Sequence, residues 1–309
     1  MTDPGTPTFE QLRVFLAVVE SGSFAAAGRR LNRAVSVISY TIANLEAQLG
    51  LALFARQGAR KSELTAAGRA VLAQARTLAA DMDGLRATVK SLLDGLESEL
   101  DLAIDVMLPG ERIGQVLRSF QQAFPTVALR LHVEALGGVA AMVVDRKAVL
   151  GISGPLVTDV EGLDWTAAGL VAMVPVAAPD HPLGHMAVIP PGEGRKHIQL
   201  VLSDRSRFTE GRDFAVISPH TWRLADLGAK HALLREGIGW GNMPLPLIQS
   251  DLAVGALLRL AMPDHPGGIY GFSAIWRRDT PPGPAASWLR DQFVTLGQAD
   301  RAPQGLADV

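Results

Sequence analysis

Apolar residues between Thr8 and Thr65 fall into three short helical patterns followed by a basic hairpin. Leu12, Phe15, Leu16 and Val19 recur at spacings of three, one and three, which is one face of a helix with a 3.6-residue period. Gly22 predicts the C-cap of that helix, and Ser23 predicts the N-cap of the next. The second helix, Phe24 to Leu31, is rich in alanine, so another helix can pack closely against it. A tight connection at Asn32-Arg33 leads into a third, with Val35, Ile38, Ile42, Leu45 and Leu49 as its buried face. Ser36, Val37, Ser39, Tyr40 and Asn44 then point outward from its first turns. Two short helices, a tight turn and a third helix with small polar outer residues describe a helix-turn-helix, an element that reads DNA. After Gly50, the segment LALFARQGARKSELT sets Arg56, Arg60 and Lys61 around Gly58. Such a basic tip suits a wing touching the phosphate backbone, although three basic residues near a turn, taken alone, are better accounted for by a solvated loop.

From Thr65, a natural N-cap, the helical pattern continues to about Glu97. Val71, Ala75, Leu78, Met82, Leu85, Val89, Leu92 and Leu96 alternate at spacings of four and three, a heptad seam. Gly84 and Gly95 each cost ~1 kcal/mol relative to alanine, so a helix of this length needs a partner. That partner is a second copy of the chain or, alternatively, the chain's own domains.

Beyond Leu100 short apolar strands alternate with helices. LDLAIDVM, VALRLHV and AVLGIS read as strands, with helices over Glu111 to Phe124 and Val139 to Arg146 between them; this β-α-β pattern implies a parallel sheet. Pro155 to Asp164 looks like a crossing to a second lobe. There, strands are expected at Leu170 to Ala178 and IQLVLS, and a helix from Trp222 to Glu236 with Leu224, Leu227, His231 and Leu234 on one face. A further helix over Leu245 to Ala253, strand ALLRL, strand GIYGFSAIWRR and a helix from Ala285 to Leu296 complete the pattern.

The first segment resembles the N-terminal winged helix-turn-helix of the LysR-type transcriptional regulators. The resemblance rests on Phe15, Ser23-Phe24, Ala26-Ala27, Leu31, Ser39, Ile42, Leu45-Glu46, Leu49-Gly50, Leu53-Phe54, Arg56, Leu64-Thr65 and Gly68, in unbroken order. One departure stands out: Ala34-Val35-Ser36 replaces the family's usual Ser-Gln-Pro. Losing the serine cap costs ~1 kcal/mol unless Asn32 replaces it, and losing the glutamine removes a bidentate reader of adenine. The later chain, best in Val149 to Ser153 and TWRLADLGAKHALLREGIGWGNMP, is similar to the family's two-lobed effector domain, which is like the periplasmic binding proteins. The implied architecture is mixed α and α/β. A winged helix-turn-helix head over 1–64 and a linker helix over 65–97 precede an effector-binding domain over 98–309. Lobe I would hold about 98–161 and 268–298, and lobe II about 162–267.

What the resemblance implies is a DNA-binding regulator controlled by a small-molecule effector, with no cofactor, no metal and no catalysis. It would dimerise antiparallel through the linker helix, assemble as a tetramer, bind a pseudo-palindromic double-stranded promoter site and have RNA polymerase as a further partner. The DNA-contacting residues would be Ser23, Arg33, Ser36, Val37, Ser39, Tyr40 and Asn44, with Arg56, Arg60 and Lys61 in the wing. In open α/β lobes ligands sit at strand carboxyl ends. Those ends are expected at Leu108-Pro109, Ala135, Ser153-Gly154, Ser203-Asp204 and His220 to Trp222. Trp222 at a helix start would set an aromatic wall beside free N–H groups, favouring an anion, or would be plain core. Arg205, Arg207 and Arg223 hint at an acidic ligand, unless they are ordinary solvated loop residues.

Composition narrows the alternatives. The 309 residues suit two or three domains, and the net charge of −2 confines any nucleic-acid contact to a local patch. Residues 1–64 hold seven Lys/Arg against five Asp/Glu, a net of +2, leaving −4 on the rest. The absence of cysteine excludes disulfides, thiolate catalysis and Cys-ligated zinc. No signal-like start and no run of ~18 apolar residues is visible, so a cytoplasmic location is expected. Enzyme chemistry finds little support. Gly151 to Pro155 misses the last glycine of a G-x-S-x-G elbow, and Gly192 to His197 lacks P-loop spacing. Pro182 and Gly184 break any metal face at His181 and His185, and Gly237 to Gly241 reads better as turns than as a nucleotide loop. Two rivals remain: a ligand-binding protein whose head serves only assembly, and an enzyme in the two-lobed domain.

Overall fold

Every helix of the head starts or stops where the local sequence offers a cap. In the computed structural model, which describes residues 5–55, 63–93, 95–155, 160–204 and 206–299, α1 spans Phe9–Ser21, α2 Phe24–Arg30 and α3 Val35–Leu49. Thr8 and Gln11 form a reciprocal capping box at the start of α1, and Gly22 ends it at φ 70°. Ser23 caps α2 by accepting from the Ala26 N–H. Asn32 does not replace the missing serine cap: it sits at φ 52°, and Ala34 opens α3 without a side-chain cap. The tight turn also needs Gly28, where a Cβ would lie 2.8 Å from the Arg33 carbonyl oxygen.

Phe15, Val14, Val18, Ala27, Ile38 and Leu45 are fully buried between the three helices. Each such large side chain contributes on the order of 1.5–3 kcal/mol by leaving water. Phe54 closes the cluster with edge-on contacts to Phe15 and Phe24. Val35, expected in this core, is instead exposed, because it precedes the first turn that packs on α1 and α2. Phe54 and Leu64 form an antiparallel bridge at the base of the hairpin. Its tip, with Arg56, Arg60 and Lys61, lies outside the described residues.

Helix α4 covers Ala66–Leu93. The Thr65 hydroxyl accepts from the Gly68 N–H and donates to the Ala52 carbonyl, so the expected N-cap also fastens α4 to the preceding chain. Any side chain at Gly68 would collide with the Leu53 carbonyl, 2.1 Å from an added Cβ. At ~1.5 Å per residue, its 28 residues make a rod of about 42 Å. The helix stops before Leu96, since Gly95 turns left-handed at φ 78°, so Leu96 leaves the seam. Val71, Leu72, Ala75 and Ala79 pack into the head, whereas Leu78, Leu85, Val89, Leu92 and Leu93 are exposed.

The chain divides into two compact units, Met1–Lys90 and Ser91–Val309. The second is built on a sheet ordered β2-β1-β3-β9-β4-β7, with β8 also paired to β4. These strands are β1 Glu99–Asp105, β2 Ala128–Glu134, β3 Leu150–Ser153, β4 Leu163–Ala177, β7 Gly241–Pro244, β8 Leu258–Arg259 and β9 Gly268–Arg277. Strands β5 (Gln199–Leu202) and β6 (Thr221–Leu224) form a separate parallel pair. The sheet is therefore mixed: β2, β1 and β3 run parallel as expected, but β9 runs antiparallel to both of its neighbours, β3 and β4.

Alternation along β1 sets its two faces. Leu100, Leu102 and Ile104 join the core shared with α5 (Gly110–Ala123) and α9 (Pro284–Ala299), while Ala103 faces α6 (Gly138–Val144). Small residues are needed on the α6 side, where a Cβ on Gly151 would lie 2.8 Å from Val139. Further along the same unit the helices are α7 (Leu227–Arg235) and α8 (Leu245–Val254). The helix expected from Trp222 is thus shorter: Asp226 caps α7, and Thr221 to Leu224 are extended because β5 offers them a parallel edge. The glycines at Gly239 and Gly241 let this segment run against the Ile198 and Leu200 carbonyls, with Trp240 fully buried between them.

Candidate functional site

Two surfaces carry chemistry, one on each unit. On the head, the first turns of α3 expose Ser36, Val37, Ser39, Tyr40 and Asn44, with Tyr40 69% exposed. Ser36, Tyr40 and Asn44 follow one another at four-residue spacing and so share one line along the helix. Val35, 45% exposed, joins this surface, a position the apolar periodicity concealed. Arg33 is exposed and held by Glu10 at 2.8 Å, an exposed pair that contributes ~0–1 kcal/mol and opens readily. The Ser23 hydroxyl is engaged in capping α2 but remains half-buried at the surface.

In the second unit, a recess of about 660 Å³ lies at the carboxyl end of β5, where Ser203 and Asp204 contribute to its wall with Arg212 and Arg223. Arg223 is held bidentately by Asp213 at 2.6 and 3.0 Å, and the Arg207 guanidinium lies over the Phe208 ring. Arg205 lies outside the described residues. An inner chamber of about 180 Å³ adjoins it, both sharing Leu136, Val201, Leu202 and Phe214. Met107, Met173 and Tyr270 make much of its wall apolar, while Lys230 and Asn242 bring polar groups. Leu136 and Ala215 hold positive φ of 48° and 54°, strain concentrated at this cleft.

Beside it lies a buried carboxylate. Asp105, at the end of β1, is inaccessible to solvent and accepts from the Met107 N–H, the Tyr270 hydroxyl and the Gly154 N–H. Burial lifts its carboxyl to about 6, against which those three donors pull downward. Tyr270 is raised well above its usual range, first by burial and then by the neighbouring Asp105 charge. Asp204 accepts from the Thr209 hydroxyl through one oxygen, while its other oxygen is buried without a partner. The Ser153 hydroxyl is likewise buried and unpartnered.

The strand-end positions divide accordingly. Ser203 and Asp204 line the recess, and Gly154 backs it through Asp105. Leu108 and Ala135 are core residues, Pro109 opens α5, and their neighbours Met107 and Leu136 reach the chamber instead. His220 and Trp222 stand elsewhere. They stand at the amino end of β6, the His220 carbonyl accepting from the Gln199 N–H, and neither lines the cleft; Trp222 is half-exposed. Periodicity missed Asp105, Tyr270, Lys230 and Asn242. Lys230 left one signal, since it falls on the same helical stripe as Leu227 and Leu234.

Family models match nearly the whole chain. Residues 9–69 match the bacterial regulatory helix-turn-helix protein, lysR family, and residues 93–297 match the LysR substrate binding domain. The chain belongs to the LysR family. It is 29% identical over 293 residues to the probable HTH-type transcriptional regulator YhaJ of Escherichia coli K12, covering 94% of this chain and 96% of that one. It is 35% identical over 248 residues to a probable nitrogen assimilation transcriptional activator of Synechococcus elongatus, covering 76% and 78%. Among solved structures it shares its fold with ArgP from Mycobacterium tuberculosis (TM-score 0.52, 21% identity, 96% and 98% covered). The same holds for LysG from Corynebacterium glutamicum with bound effector Arg (TM-score 0.51, 19% identity, 94% and 98% covered). This LysR-type protein is a DNA-binding transcription regulator with an effector-binding domain, in a family that is not enzymatic. No helix among the described residues is long and apolar enough to cross a membrane.

Proposed function

We propose that α3 enters the major groove and reads base edges through Ser36, Val37, Ser39, Tyr40 and Asn44. The supporting observation is a polar, exposed helix face that no contact within the head requires. Arg33 would exchange Glu10 for a phosphate, and Ser23 would reach the backbone from the start of α2. Arg56, Arg60 and Lys61 would hold the flanking phosphates. Because Ala34-Val35-Ser36 lacks a glutamine, adenine readout of the bidentate kind would fall to Asn44 or be absent.

Two heads would be paired by α4, whose apolar stripe Leu78, Leu85, Val89 and Leu92 is exposed in the single chain. Pairing places two recognition helices on a pseudo-palindromic site, and association of effector domains would give a tetramer. The cleft containing Ser203, Asp204, Leu136 and Tyr270 would take the effector. Occupancy shifts the assembly only by the effector's affinity difference between its two arrangements. The protein would act in the cytoplasm, with RNA polymerase as its eventual partner at the promoter.

The test is binding of the full chain to DNA upstream of its own gene across a salt series. Tight, sequence-dependent binding, lost on deleting residues 1–64, is expected. Equal weak binding to random DNA would leave the head as an assembly module.

A further inference from the structure

Lys230 is the least expected side chain in the effector-binding unit. It is 3% exposed, and its ammonium group donates to one acceptor, the Asn242 carbonyl, at 2.7 Å. No described carboxylate pairs with it. Burial pushes it down to about 8, so it is still largely charged at neutral pH. A buried ammonium with two N–H groups left over is costly unless something compensates it. Its surroundings do not: Gln199 spends its amide oxygen on the Ile217 and Ser218 N–H groups, and the rest of the wall is mainly apolar. Asn242 lines the same chamber, and its side-chain oxygen is buried without a partner.

Resting on the reading of the cleft as the effector site, we propose that this chamber takes a small organic anion whose carboxylate pairs with Lys230. A hydroxyl or amino group beside that carboxylate would donate to Asn242. The volume agrees: about 180 Å³ is the room of roughly six waters at ~30 Å³ each, enough for a short-chain acid and not for a nucleotide. Asp105 is not among the residues that line the chamber, and its oxygens accept from Met107, Gly154 and Tyr270. The remainder of the ligand leaves through the shared wall at Leu136 and Phe214 into the outer recess, where Asp204 and its unpartnered oxygen stand.

The experiment compares the full-length protein with a Lys230→Met variant by calorimetric titration and thermal melting. The probes are short 2-hydroxy and 2-amino carboxylates (lactate, glycerate, malate, alanine, serine), the primary amides of the same compounds, and the cationic amines of similar size. Removing a buried ammonium for a methionine of similar shape leaves folding intact, and the acid-against-amide comparison in the parent chain needs no variant at all. At least one acid is expected to bind and raise the melting temperature. Its amide should bind at least tenfold more weakly, and Lys230→Met should lose the same factor. Binding of an amide or amine that Lys230→Met leaves unchanged would overturn the anion and keep the cleft. Absence of binding by every probe up to about 10 mM, a limit corresponding to no more than weak affinity, would overturn the anion proposal. The cleft would then be judged by whether substituting Phe214→Trp, which fills the shared wall, abolishes regulation of DNA binding in cell extract.

Discussion

Tyr270 donates its phenolic proton to Asp105 across 2.8 Å, and so ties β9 to the end of β1. The pair is closed from above by Gly154, where an added Cβ would fall 2.1 Å from the Tyr270 oxygen and 2.9 Å from Asp105. One carboxylate, one phenol and one glycine thus fix how β9 meets β1 and β3 at the mouth of the cleft.

Stability should carry the signature of that buried carboxyl. With Asp105 lifted from 3.8 to about 6, the unfolded chain is already ionised over the intervening window while the folded chain still holds its proton. This group therefore makes stability fall as pH rises from about 4 to 6. The loss reaches ~3 kcal/mol at most, since each pH decade between the two values is worth about 1.4 kcal/mol. His181, which burial pushes down to about 4, works in the opposite direction from about pH 6.5 downward. The comparison is thus between the parent chain and Asp105→Asn in urea unfolding of the effector-binding unit. Identical pH dependence in the two would mean that Asp105 titrates normally.

Gly154→Ala should separate Tyr270 from Asp105 and leave a buried carboxylate short of a donor, at a cost of about 1–3 kcal/mol. Denaturant midpoints measure this directly. A variant as stable as the parent would show that β9 shifts to make room.

Tyr40→Ala should change the ranking of DNA sites more than it lowers affinity across all of them, since base contacts specify and phosphate contacts position. Competition binding against a library of single-base variants would decide. Uniform weakening would place Tyr40 on the backbone.

Leu85→Lys with Val89→Lys should break self-association while hardly touching the single chain, because both side chains are about half-exposed there. Exposed substitutions of this kind cost within ~0.5 kcal/mol. Sedimentation equilibrium reads the assembly and circular dichroism the fold. An undiminished oligomer would move the pairing surface elsewhere.

Phe15→Ala should destabilise the head by about 3–5 kcal/mol, since it is fully buried and meets Phe54 edge-on. Selective loss of the head's unfolding transition, with that of the second unit unchanged, is the expected outcome.

Local rules made most of the head legible. Gly22, Ser23 and Thr65 act as caps through backbone groups within a few residues, so their roles are written in adjacent positions. Ile38, Ile42 and Leu45 are buried as their period requires. The same reasoning failed at Trp222, where an extended β5 edge overrode a helical pattern, and at Val35, whose burial depended on a partner that is not there. It placed the wall of the cleft one residue off at Met107 and Leu136, because the side chain that faces a cavity depends on how the loop leaves the strand.

Periodicity and local capping rules were enough to establish the helices of the head, their caps and their apolar faces, and the run of motif residues from Phe15 to Gly68 carried the family resemblance, because each of these is written in neighbouring positions of the chain. Long-range packing decided that β9 runs antiparallel between β3 and β4 and brings Tyr270 to Asp105, 165 residues away. It also decided that Lys230, buried at the wall of the inner chamber, meets the Asn242 carbonyl rather than water. Burial is a property of the assembled fold, and it is burial that moves the titration of an ordinary aspartate upward and of an ordinary lysine downward.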